Sequence, residues 1–81
     1  MSSLIDTAAA LADDTILIME KSGEDRLHYA VADLLGKSSQ TLEEAYLTEV
    51  RVRLAGKAAR EFLRGKAEEL VATNKTETPK P

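Results

Sequence analysis

Apolar residues recur at helical spacing in three blocks of this chain. In the first, Leu4, Ile5, Ala8, Leu11, Ala12, Thr15, Ile16 and Met19 fall on one side of a helical wheel, and Asp6, Asp13, Asp14 and Glu20 fall on the other. This predicts a helix that Ser3 is placed to cap. The run Thr15-Ile16-Leu17-Ile18-Met19 is β-prone taken alone. A short strand is therefore the competing reading of residues 15–19, and continuity of the stripe selects helix. Leu17 is a misfit, landing among the acids.

The second block, Leu27, Ala30, Val31, Leu34 and Leu35, predicts a short helix with Tyr29 pointing away from its apolar stripe. Ser22-Gly23-Glu24-Asp25 reads as a turn that opens it, with Ser22 as cap and the two acids at the positive end of the helix dipole. Gly36 follows directly and can close the helix in the left-handed conformation.

After a linker, Lys37-Ser38-Ser39-Gln40, the segment Thr41-Leu42-Glu43-Glu44 has the form of a capping box. A long helix is predicted from Thr41 to Ala72, about 45 Å in length. Gly56 and Gly65 each weaken it by roughly 1 kcal/mol relative to Ala, and the pattern leaves open whether the helix continues through them. Within it Leu42, Tyr46, Val50, Leu54, Ala58 and Phe62 recur every fourth position. Each such step turns the row by about 40° around the axis. The apolar side of the first half therefore faces elsewhere than that of the second. A helix that only covered its own small core would keep one stripe. The first half (Leu42, Tyr46, Leu47, Val50, Leu54) is expected to cover the two short helices, and the second half to project or dock elsewhere. Thr73 to Pro81 is polar and aperiodic, which predicts a disordered tail.

The resulting fold class is all-α: one helical domain over residues 1–72, made of two short helices and one long amphipathic helix, followed by the tail at 73–81. Composition agrees. With 81 residues, four Gly, two Pro and three aromatic residues (Tyr29, Tyr46, Phe62), the chain suits helices better than a sheet of short strands. The absence of cysteine removes disulfides and thiolate metal sites. A chain this short buries little, so self-association, as a homodimer for instance, or a protein partner is expected to supplement its stability. No basic leader precedes the first apolar run, and no stretch approaches a membrane span; a soluble, cytoplasmic protein is the expectation.

Charge refines the picture. Residues 1–50 carry ten acids and three bases, a balance of −7, whereas residues 51–81 carry eight bases and four acids, a balance of +4. One end can attract the other, within a chain or between chains.

Two surfaces emerge as candidates. Leu54, Ala55, Ala58, Ala59, Phe62, Leu63 and Leu70 form a helix–helix seam, where small residues admit close approach and Phe62 and Leu63 supply buried area. Arg53, Lys57, Arg60 and Arg64, spaced by four, three and four, line one face and can contact an anion or an acidic partner. The bland reading of that basic stripe is a solvated face balancing the acidic half. Nucleic acid is the alternative partner, disfavoured by the acidic overall balance and the lack of aromatic–basic interleaving.

Enzymatic chemistry finds no foothold in the sequence. His28 is the sole histidine, with no second His or Cys to complete a zinc site; it reads as a flank residue. Gly36-Lys37-Ser38 resembles the end of a phosphate loop, but Val31 stands where that motif needs glycine. Glu43-Glu44 and Glu68-Glu69 are helix neighbours pointing about 100° apart, so neither pair converges on one atom. No catalytic, metal-binding or cofactor-binding residue is assigned. The expectation is a non-enzymatic interaction protein acting through the second half of its long helix. Size and helical pattern are similar to those of small adaptors, secretion chaperones and phage-encoded regulators, a likeness of architecture alone.

Overall fold

The computed structural model describes residues 3–76, which form three helices: α1 (Leu4–Ser22), α2 (Leu27–Gly36) and α3 (Gln40–Thr76). Residues 15–19 lie within α1, so the helical stripe prevails over local β propensity. α3 runs unbroken through Gly56 and Gly65 for 37 residues, about 55 Å at the usual rise. It takes in residues 73–76, which the tail was expected to begin with. The rest of that expected tail lies outside the described residues.

The helix ends use different residues from those the pattern suggests. Gly23, with φ of 80°, is the only glycine with positive φ among the described residues, and its N–H donates to the Met19 carbonyl at 2.8 Å. The left-handed closure expected at Gly36 is thus found at the end of α1. Gly36 lies beside the first turn of α3 instead: a Cβ there would sit 2.5 Å from Oε1 of Glu43, the tip of a flexible side chain. Ser3 makes no side-chain cap; only its carbonyl accepts, from the Thr7 N–H at 3.0 Å. Ser22 Oγ accepts from the Glu24 N–H at 3.1 Å, which shapes the turn, but α2 starts later, at Leu27. Ser39, rather than Thr41, caps α3, its Oγ accepting from the Leu42 N–H at 3.0 Å.

α3 is the spine. α1 and α2 both pack on its first half, and Tyr46 and Val50 are wholly buried between them, with Ala8, Ala12 and Ala32 completing the core. Leu11, Ile16, Val31, Leu35, Leu42, Leu47 and Leu54 pack around it, half-buried. Small residues on α1 and α2 let the helices come close to the spine. The inward face of α2 is turned by about one residue from the predicted one. His28 and Ala32 are buried, whereas Ala30 and Leu34 are exposed. Both faces share Val31 and Leu35, so the spacing alone did not fix the rotation. Leu17 is exposed.

The chain is far from spherical. Its extents are 66 × 29 × 15 Å and its radius of gyration is 18.7 Å, against about 12 Å for a compact domain of this length. The excess comes from the second half of α3. From Lys57 to Thr73 every residue of α3 is exposed.

Candidate interaction surface

The every-fourth-residue row on α3 shows how the surface arises. Tyr46 and Val50 are buried, Leu54 is half-buried, and Ala58 and Phe62 are exposed. The row climbs out of the core and around the helix as the drift of about 40° per step requires. Leu54 therefore packs against the core and is not part of the projecting surface.

The side of α3 turned away from α1 and α2 is traced by the exposed residues Thr41, Glu44, Thr48, Val52, Ala55 and Ala59. Extended along the helix, the same line takes in Phe62, Leu63, Lys66 and Leu70. It is polar up to Thr48 and predominantly apolar from Val52 onward. Val52 is 62% exposed, Phe62 67%, Leu63 62% and Leu70 57%. Of the seam residues expected from sequence, Ala55, Ala59, Phe62, Leu63 and Leu70 share a band about 100° wide with Phe62 and Leu63 at its edges, whereas Ala58 lies about 40° beyond Phe62. Val52 was missed. Its position seven residues before Ala59 was the available signal, masked by its closeness to the core residues Val50 and Leu54.

The basic stripe divides into two parts. Arg53 reaches to α1, its Nε 2.7 Å from Asp13 Oδ1, while its Nη1 lies 2.7 Å from Glu49 Oε1 and also donates to the Glu49 carbonyl at 3.0 Å. The Glu49 hydrogen bond, and then that of Asp13, push the guanidinium's pKa further up. Lys57 Nζ sits 3.6 Å from Glu20 Oε2 of α1. These two cations thus answer the acids of α1, in line with the charge asymmetry between the halves of the chain. Arg60 and Arg64 lie on the exposed half of α3. Arg60 also borders an open groove of about 380 Å³ between α1 and α3, whose floor is Ile16, Leu17 and Leu54.

His28, expected on a flank, is buried, and its Nδ1 has no hydrogen-bond partner. Its ring lies 4.2 Å from that of Tyr29, over which Arg26 stacks at 4.8 Å. Burial lowers the pKa of His28, with Arg26 and Arg51 adding to the effect and Asp25 opposing it. Among the described residues no cluster of His, Cys, Asp or Glu is placed to hold a metal ion, and no helix is long and apolar enough to cross a membrane.

Set against known protein families, curated proteins and solved structures, the chain matches none of them. The functional reading therefore rests on its own surfaces.

Proposed function

We propose that this protein is a non-enzymatic helical interaction module, an adaptor, chaperone or regulator, that works by helix–helix association through the second half of α3. One observation carries the reading. The segment from Lys57 to Thr73 is exposed on every side, yet it presents Phe62, Leu63 and Leu70 within one band about 100° wide. A lone helix of this length, with Gly65 inside it, is marginal in water. A row of large apolar side chains on a single helix buries nothing until another surface meets it. Association through that band supports the helix and covers the row in the same event.

The test is a double substitution, Phe62→Asp with Leu63→Asp. Association, whether with itself at rising concentration or with a protein captured from the native host, is expected to disappear. The body formed by α1, α2 and the first half of α3 is expected to keep its helicity by circular dichroism. The reading fails if the wild-type chain associates with nothing that the double variant does not also bind. It fails equally if the substitutions unfold the body itself.

A further inference from the structure

We infer that the occupant of this surface is a second copy of the chain, laid antiparallel along the back of α3; the inference rests on the reading above and specifies its partner. α1 flanks α3 on the side of Arg53 and Lys57, and α2 meets its first turn at Glu43. From Val52 to Leu70 the back is exposed apart from the half-buried Gly56, so a second helix can follow it without displacing either short helix.

The sequence of that face is complementary to its own reverse. Val52, Gly56, Ala59, Leu63, Lys66 and Leu70 are spaced by four, three, four, three and four residues, the alternation of a coiled-coil seam. Pairing two copies antiparallel about Glu61 uses the entire seam. Val52 then meets the partner's Leu70, Ala59 meets the partner's Leu63, and Gly56 meets the partner's Lys66. In two of these layers a small residue faces a large one, which lets the helices approach while filling the space between them. A parallel pair would instead set Lys66 against the partner's Lys66 inside the seam, and Gly56 against the partner's Gly56.

The flanks point the same way. On one side, Phe62 lies at the centre beside the partner's Phe62. Arg51 falls within side-chain reach of the partner's Glu69, and the two-fold axis repeats that pair at the other end. Arg51 and Glu69 are both exposed, and Lys66 of the same chain sits 3.4 Å from Glu69 Oε1. On the other side, Arg60 approaches the partner's Arg60, which opposes association. The seam engages about ten residues a side, roughly half the number in a standard protein interface. An interface of that size belongs with weak, reversible associations, and it sets the two bodies about 40 Å apart along the shared axis.

The experiment is a charge swap read by light scattering across a concentration series. Arg51→Glu and Glu69→Arg are each expected to weaken the dimer about ten-fold, because each replaces two attractions with two repulsions. The combination is expected to return to within about three-fold of wild type, and Arg60→Gln to tighten the dimer. Because the chain has no cysteine, a spin label at Thr48→Cys gives a second readout: about 40 Å between labels for the antiparallel pair, against near contact for a parallel one. A wild-type chain that stays monomeric at every concentration overturns the inference, while leaving capture of a different protein, lost on Phe62→Asp with Leu63→Asp, as separate support for the broader reading. A dimer whose charge swap does not restore affinity, or whose labels sit in near contact, overturns the antiparallel arrangement.

Discussion

The phenol of Tyr46 on α3 donates to the hydroxyl of Thr15 on α1 at 2.7 Å, and Thr15 donates in turn to the Leu11 carbonyl at 2.8 Å. This relay satisfies the buried polar groups where the spine meets α1. Burial raises the pKa of the phenol, with the Thr15 hydrogen bond opposing, so it remains the donor at any ordinary pH. The two partners are not equivalent. Tyr46→Phe removes a donor but leaves Thr15 bonded to Leu11, a loss of about 1 kcal/mol. Thr15→Val leaves a wholly buried phenol without an acceptor, at about 1–3 kcal/mol. Urea denaturation is expected to rank Thr15→Val as the more damaging; the opposite order would mean that the relay does not hold α1 to α3.

Stability should depend on pH through His28. Its folded-state pKa is lowered, first by burial, then by Arg26 and Arg51, against Asp25. The unfolded chain, with the ordinary value near 6.5, binds the proton more readily than the folded one. The stabilisation is therefore complete above about pH 6.5 and is lost as pH falls through that value. The urea midpoint of wild type relative to His28→Gln is expected to drop between pH 7.5 and 5.5 (about one unit either side of the ordinary value). A difference that stays flat would show that the imidazole is not held neutral by its surroundings.

The glycines of the helices should respond in opposite senses. Gly23 has φ of 80° with nothing within 4 Å of a Cβ, so Gly23→Ala meets only backbone strain and should cost about 1 kcal/mol. Gly65 also has open space around it but helical geometry, so Gly65→Ala should favour the projecting helix by about 1 kcal/mol and raise its ellipticity. Thermal melts and circular dichroism of the two variants check both signs.

These positions also show what the sequence made legible. The all-α architecture and the climbing row from Tyr46 to Phe62 follow from spacing alone, because a four-residue step has a fixed rotation. Helix ends were less legible. Gly23 and Gly36, or Ser39 and Thr41, offer chemically equivalent closures, and tertiary contact chose between them: Gly36 faces Glu43 rather than adopting positive φ. The burial of His28 in place of Leu34 turned on a rotation of α2 that shared positions Val31 and Leu35 leave undefined. Within the surface, Phe62, Leu63 and Leu70 stood out by size, whereas Val52 was hidden among core neighbours and Leu54, expected both over the short helices and in the seam, packs with the core.

The alternative of phosphate binding through the basic stripe has its own check. Arg53 and Lys57 face Asp13 and Glu20 of α1, so little retention on DNA is expected even at low salt. Asp13→Asn with Glu20→Gln should release Lys57, leave Arg53 held by Glu49 alone, and increase retention, with a steep loss on adding salt. Strong wild-type retention that these changes leave untouched would favour the nucleic-acid reading.

Hydrogen exchange along α3, measured at several protein concentrations, tests the central claim most directly. Amides of residues 57–73 are expected to gain protection as concentration rises, while those of residues 42–54, already packed in the body, change little. Phe62→Asp with Leu63→Asp should erase the concentration-dependent part. Protection of residues 57–73 that is indifferent to concentration and to those substitutions would contradict an association surface on the back of α3.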